Sequence, residues 1–104
     1  MNLITVVTTV GSLEEARRLA RVIVERKLAA CAQLSQIESF YPWKGSLQNE
    51  PEIRISFKST EQNYRSLEAA IVELHPYELP AIHAIEVVAV YEPYGQWVCE
   101  STSR

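Results

Sequence analysis

From Glu52 to Lys58 the chain alternates without a break: Ile53, Ile55 and Phe57 are apolar, while Glu52, Arg54, Ser56 and Lys58 are polar. A period of two belongs to a β-strand with one buried face and one wet face. Such a strand needs neighbours at its edges and a cover over its apolar side, which commits the chain to a sheet with a second layer. Pro51, just ahead, carries no amide hydrogen and confines the early part of the strand to an edge or a bulge.

The other elements arrange themselves around this one. Residues 3–10 are rich in β-branched side chains and predict a first strand, broken by Gly11. Ser12 with Glu15 makes a capping box, and Ala16, Leu19, Ala20 and Ile23 recur at helical spacing. Glu14 and Arg18 are placed to pair one turn apart, and Lys27 suits the helix end. Ala30, Ala32 and Leu34 then alternate in one phase, and Ile37, Tyr41 and Trp43 in the other, which predicts a bulge near Ser35 and Gln36. Lys44-Gly45-Ser46 is the turn into the return strand. A second helix is expected after it, capped by Ser59 with Gln62, buried along Tyr64, Leu67, Ile71 and Leu74, and stopped by Pro76. A last strand over 82–91 and a short helix over 93–97 complete the series.

The order is β-α-β-β-α-β. Right-handed crossovers put both helices on one sheet face, which is the ferredoxin-like plan of the α/β (α+β) class: a four-stranded antiparallel sheet, two helices on one side, and a short C-terminal helix. With 104 residues, 47% hydrophobic and 22% charged, the chain reads as one domain over 1–104. The expected last strand is apolar on both faces, with Ile82, Ala84, Val88 and Val90 opposing Ile85, Val87, Ala89 and Tyr91. The helices hide only one face, and the tail is too short to cover the whole of the other, so self-association is expected.

Net charge is −3, and Arg17, Arg18 and Arg21 share their helix with Glu14, Glu15 and Glu25, which argues against a nucleic-acid partner. No apolar run has the length of a membrane span, and no basic leader precedes the first strand, where only Met1 and Asn2 stand. Cys31 and Cys99 have no metal-finger spacing and read as free thiols of a reducing compartment, giving a cytoplasmic expectation.

Three stretches resemble the CutA divalent-cation-tolerance family: Glu25-Arg26-Lys27-Leu28-Ala29-Ala30-Cys31, Tyr41-Pro42-Trp43-Lys44-Gly45, and His75-Pro76-Tyr77-Glu78-Leu79-Pro80. Tyr94 and Trp97 match that family's C-terminal Tyr-x-x-Trp, and the motifs fall in order over nearly the whole chain. The resemblance implies a homotrimer of ferredoxin-like subunits, similar in plan to the PII signalling proteins. It also implies a role in metal-ion tolerance and signalling, and copper or another divalent cation as ligand in some members. Thr8 stands where some members carry a cysteine, and Leu74-His75 where some carry two histidines, so soft and imidazole donors are fewer here.

The residues that carry metal chemistry by type are His75, with Glu78 three residues on, and Cys31 as a soft donor. The alternative for His75 and Glu78 is hydrogen bonding at the helix end; for Cys31, packing among alanines. His83 reads as an ordinary strand residue. Tyr41, Trp43, Glu50, Lys58, Tyr77 and Trp97 are candidates for an intersubunit pocket, with packing against a neighbouring copy as the simpler role for the large rings. The sequence contains no glycine-rich phosphate loop, nucleophile elbow or helical His-x-x-x-His pair. The readings are therefore a non-catalytic binding or signalling trimer, a small enzyme using His75 and Glu78 as an acid–base pair, and a structural trimeric adaptor.

Overall fold

A computed structural model describes residues 2–103; Met1, read as preceding the first strand, lies outside them. The strands are β1 (Leu3–Val10), β2 (Cys31–Trp43), β3 (Ser46–Thr60) and β4 (Ile82–Glu86). The helices are α1 (Leu13–Glu25), α2 (Tyr64–Leu74) and α3 (Glu92–Ser101). All pairings are antiparallel and the strand order is β2-β3-β1-β4. This is the expected ferredoxin-like arrangement.

The alternation in β3 settles which side is which. Ile53, Ile55 and Phe57 stand opposite Val10, Thr8 and Val6 of β1, and all six are buried on the helix side. Ala16, Leu19 and Ile23 of α1 and Leu67, Ala70 and Ile71 of α2 close over them in one apolar cluster. Each fully buried Leu, Ile or Phe there contributes about 1.5–3 kcal/mol by leaving water. The Ser12 hydroxyl accepts from the Glu15 amide at 3.2 Å, as the capping box requires. Arg18 pairs at 3.1 Å with Glu15 and not with the expected Glu14, because the same guanidinium also donates to the Leu74 carbonyl at 2.6 Å. That bond ties α1 to the end of α2.

At the end of α1, Lys27 takes a left-handed φ of 60°. The Leu28 amide donates to Ile23 O and the Lys27 amide to Val24 O, so the helix closes in a Schellman turn that buries Leu28. Pro76 acts as expected, with His75 extended at ψ 136°.

Four local expectations are corrected. The β2–β3 register runs from Cys31↔Lys58 to Trp43↔Ser46 without a bulge, and the change of phase reflects a change of which face is covered along the strand. Ser59 does not cap α2; it lies within β3 and its hydroxyl donates to the Leu28 carbonyl at 2.7 Å, while a 3-10 turn, Glu61–Asn63, leads into the helix. The last strand ends at Glu86, so residues 87–91 form no regular element and present no two-faced strand. The C-terminal helix, starting at Glu92, is longer than expected. It packs on the far face of the sheet: a Cβ on Gly95 would stand 3.9 Å from Leu3, and Leu3, Val7 and Val98 are buried outside the helix-side cluster.

β1 reaches β3 only from Val10↔Ile53 onward, so the hairpin pairs from Ile37↔Glu52 to Trp43↔Ser46 project as a two-stranded arm. At about 3.4 Å per residue the arm is roughly 20 Å long. Pro51 sits in it with one side open, the edge position its missing amide hydrogen demands. Lys44 and Gly45, both at positive φ, turn the tip.

Candidate functional site

The far face of the sheet carries the polar residues of interest, and strand register separates them into two groups. Glu52 was read as facing water, and it does lie on that face, but it is only 7% exposed. Its cover is Tyr77, whose hydroxyl donates to Glu52 Oε2 at 2.6 Å. Beside it the Tyr41 hydroxyl donates to Glu50 at 3.3 Å. Burial, and then the Glu52 carboxylate with Tyr41 and Glu50 nearby, push the Tyr77 hydroxyl well above the ordinary tyrosine range. At neutral pH it is a hydrogen-bond donor and not a phenolate.

His75 holds the base of this group. Its Nδ1 accepts from the Tyr77 amide at 3.1 Å, which leaves the proton on Nε2, 2.9 Å from the Thr9 carbonyl. The two rings lie 4.9 Å apart, tilted by 59°. Burial lowers the His75 pKa; the bond to Thr9 and the Glu52 and Glu15 carboxylates oppose it. The sequence indicated His75 and Tyr77 as site residues but gave no sign that Glu52 is their partner, since a strand glutamate on a polar face looks solvated.

The second group lies further along. Cys31 stands opposite Lys58, and Lys58 opposite Thr5, four residues along β1 from Thr9. That is about 13 Å at strand spacing. Cys31 raises the Tyr94 hydroxyl, after burial, and Tyr94 stacks on Trp97 at 5.7 Å. The expected pocket of Tyr41, Trp43, Glu50, Lys58, Tyr77 and Trp97 is thus not one constellation within a single chain: Lys58 is eight residues, roughly 27 Å, along β3 from Glu50. Trp43 is at the arm tip with Lys44 Nζ over its ring at 5.8 Å. His83 faces Val7 across β1 and β4. A groove of about 1000 Å³ between the 3-10 turn and the end of α3 is lined by Thr60, Glu61, Cys99 and Thr102 among others, and by none of the candidate residues.

The donors named for a metal do not converge. Neither nitrogen of His75 bonds Glu78, so the acid–base pair of the enzyme reading is not formed. Cys31 is in the other group, and among the described residues no three His, Cys, Asp or Glu side chains are gathered as a cation would require. Within one chain these residues do not fit a resident copper or zinc ion.

A family model described as CutA1 divalent ion tolerance protein matches residues 4–101. The chain belongs to the CutA1 family. Divalent-cation tolerance protein CutA of Pyrococcus horikoshii is 35% identical over 102 residues, 98% of this chain and 100% of that protein. Its counterpart in Thermotoga maritima is 36% identical over 99 residues, 95% of this chain and 98% of that one. Among solved structures, CutA from Synechococcus elongatus superposes with a TM-score of 0.95 at 35% identity, covering 98% of this chain and 91% of that one. The structure described as the periplasmic divalent cation tolerance protein CutA from Archaeoglobus fulgidus gives 0.94 at 29% identity, covering 97% and 99%. The family thus has the fold built above from the alternation in β3. No helix among the described residues is long and apolar enough to cross a membrane.

Proposed function

We propose that this chain is a divalent-cation-tolerance protein that works as a homotrimer in the cytoplasm, by binding and signalling and not by catalysis. The observation that carries the self-association is the arm: a two-stranded ribbon is marginal by itself in water, and this one exposes Phe40, Leu47 and Trp43. Residues 87–91 add a further uncovered apolar run, with Val88 96% exposed. A second and third copy laid against these surfaces would cover them. The tolerance role rests on the names of relatives similar over nearly the full length. The cytoplasmic part rests on the free Cys31 and Cys99. Copper or another divalent cation is the signal such a role implies, met by the assembly and not by a ligand set of His75, Glu78 and Cys31 in one chain.

Sedimentation equilibrium tests the reading. The expected mass is that of three chains at micromolar concentration, and Trp43→Ala should weaken the trimer by about 2–4 kcal/mol if its ring is an anchor. A stable wild-type monomer would overturn it. Growth of cells lacking the protein under excess copper or zinc, restored by wild type, checks the tolerance role.

A further inference from the structure

We propose that His75 is a positioning residue that straps the 75–80 loop to the sheet and holds Tyr77 against Glu52, and that it is not a metal ligand in this chain. The contacts concerned lie within one chain, so the assignment stands or falls separately from the trimer.

A neutral imidazole has one basic lone pair to offer a metal. Here that pair, on Nδ1, is engaged by the Tyr77 amide, and the N–H on Nε2 is engaged by the Thr9 carbonyl. Ligation through Nδ1 would release Tyr77; ligation through Nε2 would require the other tautomer and strand the Thr9 carbonyl and the Tyr77 amide together. Each group that loses its partner in this part-buried setting opposes the exchange.

What the strap achieves is the placement of Tyr77. Pro76 sets the chain direction after α2, and the Nδ1 bond then fixes the Tyr77 backbone beside the end of β1. The phenol crosses Gly11, where a Cβ would come within 3.2 Å of its hydroxyl, and reaches Glu52 on β3. Gly11 is thus the gap through which the ring passes. The buried Glu52 carboxylate receives a donor by this route, so losing His75 should loosen Tyr77 and leave Glu52 less well satisfied. The second donor set a metal would need is also missing: Cys31 belongs to the other end of the sheet, and the first strand offers Thr8, a hydroxyl, in place of a thiol.

The test combines a spectroscopic signature with hydrogen exchange. Zinc chloride is titrated into ¹⁵N-labelled full-length protein about one pH unit above the ordinary histidine pKa, and the ring nitrogens are followed by long-range ¹H–¹⁵N correlation. The expected result is an Nε2–H tautomer for His75 that shows no saturable shift up to millimolar zinc. In His75→Ala the Tyr77 amide should exchange about tenfold faster or more. A saturable zinc-dependent shift of the His75 nitrogens, or an equally protected Tyr77 amide in His75→Ala, would overturn the assignment. If His75→Ala does not fold, the wild-type titration decides by its own two outcomes.

Discussion

The Tyr77 hydroxyl donates to Glu52 Oε2 at 2.6 Å, joining a loop that follows α2 to a strand 25 positions earlier in the chain. A carboxylate that is only 7% exposed needs such a donor, since an ionised group out of water is costly unless it is hydrogen-bonded. The bond ties the 75–80 loop to β3 through the Tyr77 side chain.

Tyr77→Phe removes that donor and keeps the ring. The expected cost is about 1.5–3 kcal/mol, the range for a hydrogen bond to a charged group, read as a lower midpoint in urea unfolding. Glu52→Gln in the Tyr77→Phe background should recover part of it, because the neutral amide is cheaper to bury. Equal stability of wild type and Tyr77→Phe would show that solvent satisfies Glu52 without the phenol.

His75 predicts a pH dependence with a definite sign. Its folded pKa lies below the ordinary 6.5, chiefly through burial. Between those two values the unfolded chain binds the proton and the folded chain does not, so protonation favours unfolding. The contribution is fully present above the unfolded pKa and is lost as pH falls from about 6.5 through the folded pKa. Comparing wild type with His75→Gln across that window isolates it: the wild-type curve should fall more steeply on acidification. Parallel curves would mean that His75 titrates alike in both states.

Thr8 is buried between Val6 and Val10 on the helix side, and its hydroxyl oxygen has no hydrogen-bond partner among the described residues. Thr8→Val keeps the β-branched shape and removes the unpaired group. Thermal and urea unfolding should show unchanged stability or a gain of up to about 1 kcal/mol, since burying an unmade hydrogen bond is unfavourable. A loss larger than that would reveal a partner for the hydroxyl in the assembled protein.

Much of the fold was legible because it depends on local period and punctuation. The period-two run at Ile53, Ile55 and Phe57, the helical stripe of Ala16, Leu19 and Ile23, and the stop at Pro76 each act within a few residues, and together they impose the βαββαβ order. His75 and Tyr77 stood out for the same reason, as polar and aromatic groups at a helix exit. The tertiary structure decided the rest. Glu52 receives the Tyr77 hydroxyl, which arrives over Gly11, and Ser59 leaves the capping role because the Leu28 carbonyl lies within reach of its hydroxyl. Ile37, Tyr41 and Trp43 change phase without a bulge because the arm runs past β1, so a different face is covered there. Whether an imidazole lone pair is free, and whether Cys31 lies near it, depends on which distant backbone groups come to rest beside each side chain, and chain periodicity carries no record of that.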